Sequence, residues 1–129
     1  MTQRQGNRRG GHATQTVKRE LTISTGAIDE TTLRRDRTVS PGMGAVVCFL
    51  GVVRGEEEGK PIRAIEYEAF QRMAEHQFNL LFDEMARRWP VESVRLVHRL
   101  GVVKVNEVSL WVEIVAPHRG EAFAALPPA

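Results

Sequence analysis

Phe70, Met73, Ala74, Phe78, Leu81, Met85 and Trp89 recur at spacings of three and four and stop at Pro90, which marks one amphipathic helix. Around it the chain reads with a period of two. Val17, Leu21 and Ile23 fall on one face of a predicted strand and Lys18, Glu20, Thr22 and Ser24 on the other. A short helix is predicted around Ile28 to Arg35, and Ser40-Pro41-Gly42 punctuates the chain after it. Gly44 to Val53 is continuous and rich in Val, predicting a strand covered on both faces and central in the sheet. The polar stretch Arg54 to Pro61 then leads into Ile62 to Ala69, where Ile65, Tyr67 and Ala69 share a side, and the two predict a hairpin. After the helix, Val94, Leu96 and His98 alternate, and Gly101 marks a turn or bulge. Val102 to Val105 is short and apolar, and Asn106-Glu107 turns into Val108 to Ala116, predicting three antiparallel strands. Strands outnumber helices without alternating with them, so the expected class is α+β: a mostly antiparallel sheet covered on one face by the long helix.

A chain of 129 residues with 42% hydrophobic and 26% charged content reads as one soluble domain. The longest apolar stretch, Ala45 to Val53, is about half the roughly 20 residues a membrane-spanning helix needs. No apolar segment backs the charged N-terminus before Val17, which argues against a secretory signal. One cysteine, Cys48, cannot form an internal disulfide, and its place among Val46, Val47, Phe49 and Leu50 predicts a buried core thiol in a cytoplasmic protein. The net charge of +2 has a local origin. Residues 1–19 hold Arg4, Arg8, Arg9, Lys18 and Arg19 and no acid, leaving 13 basic against 16 acidic side chains elsewhere. Residues 1–16 are therefore expected to be a disordered basic leader and residues 17–129 the domain. A solvated leader is favoured over an arm that touches nucleic acid.

The chain has no Walker or dinucleotide loop, no paired cysteines and no His-Glu-x-x-His. His12, His76, His98 and His118 are spread without ligand-like spacing, so neither a metal nor a cofactor is expected. Two arginines fall where strands end, Arg54 after Val52-Val53 and Arg119 after Ala116-Pro117-His118. If those ends share one edge of the sheet, the two guanidinium forks, an imidazole and the N–H groups of a helix starting at Pro117 could hold a phosphate or carboxylate. The plainer reading makes them surface cations at loop starts, and Glu56 to Glu58 a solvated turn.

Five ordered motifs go further. They are Gly44 to Gly55 (GAVVCFLGVVRG); Ile65-Glu66-Tyr67-Glu68-Ala69-Phe70 with Met73-Ala74-Glu75; Arg88-Trp89-Pro90; His98-Arg99-Leu100-Gly101; and Ala116-Pro117-His118-Arg119. Together they resemble the large, catalytic subunit of molybdopterin synthase over about Val17 to Ala125. The resemblance implies an α/β-hammerhead-like subunit that forms a homodimer within a heterotetramer. Its partner would be a small ubiquitin-like sulfur carrier, whose C-terminal Gly-Gly thiocarboxylate delivers sulfur to cyclic pyranopterin monophosphate. It further implies that Val52, Val53, Arg54, His118 and Arg119 bind the substrate, with His118 and Arg119 catalytic.

In that family the helix after the Ala-Pro-His-Arg motif continues and supplies a lysine, and a Pro-x-Trp-Lys segment supplies a second. Here Leu126-Pro127-Pro128-Ala129 is expected to end the helix, and no lysine follows Lys104. Two alternatives therefore stand beside an active synthase subunit. One is a non-catalytic relative that keeps the fold and carrier docking. The other is a nucleic-acid-binding module that uses the basic leader.

Overall fold

A computed structural model of the chain describes residues 17–67 and 71–126. The predicted leader, Ala69, Phe70 and the closing prolines lie outside the described residues. Eleven elements follow in order: β1 (Lys18–Ser24), α1 (Glu30–Arg35), β2 (Ala45–Val52), β3 (Glu56–Glu57), β4 (Lys60–Pro61), β5 (Ala64–Tyr67), α2 (Gln71–Arg88), β6 (Ser93–Arg99), β7 (Gly101–Lys104), β8 (Val108–Ala116) and α3 (Arg119–Ala125). The main sheet runs β1-β6-β8-β2; β1 is parallel to β6, and the other pairs are antiparallel. The α+β expectation holds.

Along β6 and β8 every second residue faces the helices. Val94, Leu96, Val112, Ile114 and Ala116 pack with Phe82 and Met85 of α2 and Ala122 and Ala125 of α3 in one core. Full burial of a side chain such as Phe82 or Met85 is worth about 2 kcal/mol. The buried stripe of α2 differs from the predicted one: Phe82 is buried and stacks with Phe78 at 6.4 Å between ring centroids, while Met73 is exposed. At the far end Trp89 closes the last turn, its N–H donating to the Met85 carbonyl at 3.0 Å. α1 starts where Asp29 accepts from the Thr32 N–H at 3.1 Å and the Thr32 hydroxyl at 2.8 Å, hydrogen bonds that hold its carboxyl below the usual range.

Three strand expectations need correction. β2 is an edge strand, not a central one, and it exposes Val46, Phe49, Leu50 and Val52. An apolar run reports that a strand avoids water, but not whether its own sheet or another molecule covers it. β2 also does not form a hairpin with the strand that follows. The Arg54–Pro61 stretch folds on itself, pairing Glu57 with Lys60 around Glu58 and Gly59, both with positive φ (51° and 78°), as a tight two-residue turn requires. β5 then pairs with β7 in a separate two-stranded sheet. Finally, β7 leaves β6 at Gly101 (φ 87°), so only β6 and β8 of the expected three strands are neighbours.

The sheet face away from α2 carries a buried charge. Glu113, whose side chain is 2% exposed, stands mid-strand in β8 between Cys48 of β2 and Arg95 of β6. Arg95 donates to both of its oxygens (2.8 and 2.9 Å) and Arg37 to one (2.5 Å). Arg95 also reaches the Leu33 carbonyl at 2.7 Å and lies over the Trp111 ring at 4.9 Å, tying α1 to the sheet. Burial pushes the Glu113 carboxyl up, but the hydrogen bonds and charges of Arg95 and Arg37 outweigh it and leave the pKa lowered. Cys48 is exposed rather than a core thiol, and desolvation beside this cluster raises its pKa.

A carboxyl lowered in the folded state stabilises the fold above its unfolded pKa of about 4.3, and that contribution is lost as pH falls through the folded value. Urea titrations should therefore show stability falling as the pH drops below about 4.3. The slope should be shallower in Glu113→Gln. Glu113→Ala, which strands two largely covered arginine side chains, should cost about 3 kcal/mol at neutral pH.

Candidate functional site

Arg54 is set by the segment that leaves β2. The buried Val53 donates its N–H to the Glu107 carbonyl (3.1 Å) and accepts at its own carbonyl from the Asn106 N–H (2.9 Å). Asn106 has a φ of 71°, the left-handed geometry of the turn between β7 and β8. The Glu107 carboxylate is held in turn by the Lys104 N–H (2.8 Å) and Arg99 (3.4 Å), and the Lys104 hydrogen bond leads the contacts that lower its pKa. The backbone before Arg54 is thus fixed, while its side chain is 67% exposed and its guanidinium is paired with Glu57.

His118 and Arg119 are placed by β8 and by a close backbone approach. The Gly44 N–H donates to the carbonyls of Ala116 (3.2 Å) and Pro117 (3.1 Å), and a Cβ on Gly44 would lie 2.7 Å from the Pro117 oxygen. Only glycine fits there, which locks the start of β2 to the residue before His118. His118 caps α3 in extended geometry (φ −136°, ψ 153°). Its N–H donates to Glu121 Oε1 at 3.1 Å, and its Nδ1 lies 3.0 Å from the same oxygen. The donors that the sequence assigned to an anion therefore already serve Glu121 in part. The ring and Arg119 are exposed.

The antiparallel register decides how these residues relate. Ala45 pairs with Ala116 and Val52 with Val108, so Arg54 lies at the end of the sheet where β8 begins and His118-Arg119 at the end where it finishes. At about 3.3 Å per residue the separation is roughly 25 Å. Within one protomer the two do not share an edge of the sheet, contrary to the expectation from their sequence positions. Antiparallel neighbours point their C-terminal ends in opposite directions.

A cleft of about 450 Å³ opens on the face away from α2, bounded by Lys18, Glu20, Asp36, Arg95 and Glu113 among others. It coincides with neither Arg54 nor His118. Its strongest charges are already paired, so shape alone does not make it the site. Among the described residues no group of three His, Cys, Asp or Glu side chains could hold a metal ion, and no helix is long and apolar enough to cross a membrane. The contacts that Glu121 and Gly44 make are not visible in the sequence. The i, i+3 spacing of His118 and Glu121 was the available signal, since that is the geometry of a capping box.

Residues 23–128 match the MoaE protein family. The chain belongs to the MoaE family. A molybdopterin synthase catalytic subunit from Staphylococcus carnosus is 38% identical over 96 residues, 74% of this chain and 64% of that relative. The chain spans 44–47% of the length of three mammalian relatives. The crystal structure of molybdopterin synthase from Staphylococcus aureus aligns with a TM-score of 0.72 at 31% identity, covering 81% of this chain and 75% of that one. A complex of subunits 1 and 2 of molybdopterin-converting factor from Helicobacter pylori shares the fold at 21% identity, with a TM-score of 0.66 over 81% of this chain and 70% of that one. This MoaE chain thus carries its matched residues on a sheet whose two ends present different chemistry.

Gly44→Ala should force the Pro117 carbonyl away, lowering the unfolding free energy by about 2 kcal/mol. In ¹⁵N spectra the amides of Ala116 and of residues 118–122 should shift far more than those around Arg54.

Proposed function

We propose that this chain acts in molybdenum cofactor biosynthesis as the large, catalytic subunit of molybdopterin synthase. In this reading it transfers sulfur from the C-terminal thiocarboxylate of a small ubiquitin-like partner to cyclic pyranopterin monophosphate, forming molybdopterin. The observation that carries the reading is the family match across residues 23–128, which contains every residue assigned to the site. The occurrence of the same fold in a two-subunit complex supports the small-subunit partner.

In this proposal the exposed Val52 lines the pocket, the buried Val53 fixes the backbone behind it rather than touching substrate, and Arg54 and Arg119 take the anionic groups. A guanidinium fork matches the paired oxygens of a phosphate or carboxylate. His118 supplies the group that can accept or release a proton as sulfur is transferred. The roughly 25 Å between Arg54 and His118 is too far for one small substrate to bridge within a protomer. Two copies resolve this. If a two-fold axis runs beside β2, the Arg54 end of one protomer meets the His118 end of the other. The exposed Val46, Phe49, Leu50 and Val52 on that edge strand favour such a homodimer, with one carrier per protomer completing a heterotetramer.

The test is reconstitution of the natural protein containing this chain with its thiocarboxylated small subunit. Molybdopterin should form from cyclic pyranopterin monophosphate, and absence of product with the small subunit bound would overturn the catalytic assignment. Arg54→Ala and Arg119→Ala should each weaken precursor binding about tenfold or more in calorimetry, as expected for loss of a charge-assisted hydrogen bond. Phe49→Glu should convert the dimer to monomer in light scattering and abolish turnover with it.

A further inference from the structure

We propose that Arg99 is a positioning residue that acts through Glu107 to hold the segment presenting Arg54, and so sets the affinity of that end of the site for the anionic precursor. The proposal rests on the functional reading above and gives a role to the His98-Arg99-Leu100-Gly101 motif, which that reading leaves unused.

Strand register brings the residues concerned to one end of the sheet. His98 of β6 pairs with Leu110 of β8, and Leu110 pairs with Gly51 of β2, so Arg99, Glu107 and Val53 all lie beyond that row on the side where Arg54 leaves. His118 and Arg119 stand at the opposite end. The β6–β8 ladder stops at His98, and the turn from Lys104 to Glu107 extends past it. Inside the turn the Glu107 N–H donates to the Lys104 carbonyl at 3.0 Å, and the Lys104 N–H donates to Glu107 Oε1 at 2.8 Å. Those contacts close the turn without fixing where it stands against β6. Arg99 supplies that tie: its Nη1 lies 3.4 Å from the same Glu107 oxygen, and its side chain is only 13% exposed. Its Nε is buried with no hydrogen-bond partner among the described residues, so Glu107 is the carboxylate that offsets a largely covered charge. The turn then grips Val53 from both sides, the Glu107 carbonyl accepting its N–H (3.1 Å) and the Asn106 N–H donating to its carbonyl (2.9 Å). Val53 is 1% exposed, and Arg54 is the next residue. A guanidinium at the end of β6 therefore limits the directions in which Arg54 can leave β2. Orientation set before the ligand arrives lowers the ordering cost of binding.

The experiment has two readouts, both in the natural protein containing this chain. Hydrogen exchange of the Val53 and Asn106 amides, which make the grip, should quicken about tenfold in Arg99→Met, while the Gly44 amide at the opposite end keeps its rate. Arg99 meets Glu107 through one nitrogen, so Arg99→Lys should bring the rates most of the way back. In calorimetry, Arg99→Met should weaken binding of cyclic pyranopterin monophosphate about fivefold, and in an Arg54→Ala background the same change should cost nothing further, because the two residues act in series. Glu107→Gln keeps an oxygen for the Lys104 N–H and removes the charge that Arg99 meets. It should reproduce both effects in weaker form, and it decides the matter if Arg99→Met fails to fold. Unchanged exchange at Val53 and Asn106, or unchanged affinity, would overturn the positioning role. A loss of affinity that persists undiminished in the Arg54→Ala background would also overturn it, since Arg99 would then act on something other than Arg54. A parent protein that does not bind the precursor would instead sink the synthase reading and, with it, the effect on affinity, while hydrogen exchange still decided whether Arg99 holds Val53.

Discussion

A carboxylate with almost no access to water, Glu113, stands at the middle of β8 and is held by Arg95 from the neighbouring strand and Arg37 from the segment before β2. Its second sheet neighbour is Cys48, across the β2 pairing. Unpaired, such a charge would cost several kcal/mol. Paired, it joins β6, β8 and the α1 region on the face that the long helix does not reach. The opposite face of β8 is apolar, with Val112, Ile114 and Ala116 against α2 and α3. The strand is therefore constrained on one side by packing and on the other by charge. That holds in place the strand from which both ends of the candidate site extend.

The same strand sets the spatial logic of the site. The β7–β8 turn, before β8, fixes Val53 and so the exit of Arg54. After β8, Pro117 and the Gly44 contact fix His118, which then meets Glu121. Antiparallel pairing puts these events at opposite ends of the sheet. The exposed apolar edge of β2 lies between them, where a second copy would unite what one protomer keeps apart.

Much of the fold was legible because its signals are local. The three-and-four spacing up to Trp89, the alternation in β1 and β6, the turn at Asn106-Glu107 and the break at Gly101 depend on neighbours within a few residues. Phe78, Met85 and Trp89 of the α2 stripe are legible, but Phe82 and not Leu81 is the buried residue between them, because apolar residues on both sides of that turn leave its azimuth undecided until the sheet is in place. The strand order was not legible. Gly44 to Val53 reads as a buried strand by composition, yet β8, with Glu113 in its middle, is the one buried on both faces. Hydrophobic content ranks strands by their aversion to water, and an oppositely charged pair supplied from distant segments can offset a polar residue in a way that no local window contains.

By itself, the sequence determined the α+β class, most elements and the residues that tie the chain to the MoaE family. Periodicity, proline and glycine punctuation, and ordered motifs are all properties of contiguous residues. Only the tertiary structure decided that β2 lies at an edge, that Arg54 and His118 stand at opposite ends of the sheet, and that Glu121 meets His118. Each of these follows from strand register or side-chain direction, which contacts between distant segments fix and which spacing along the chain cannot encode.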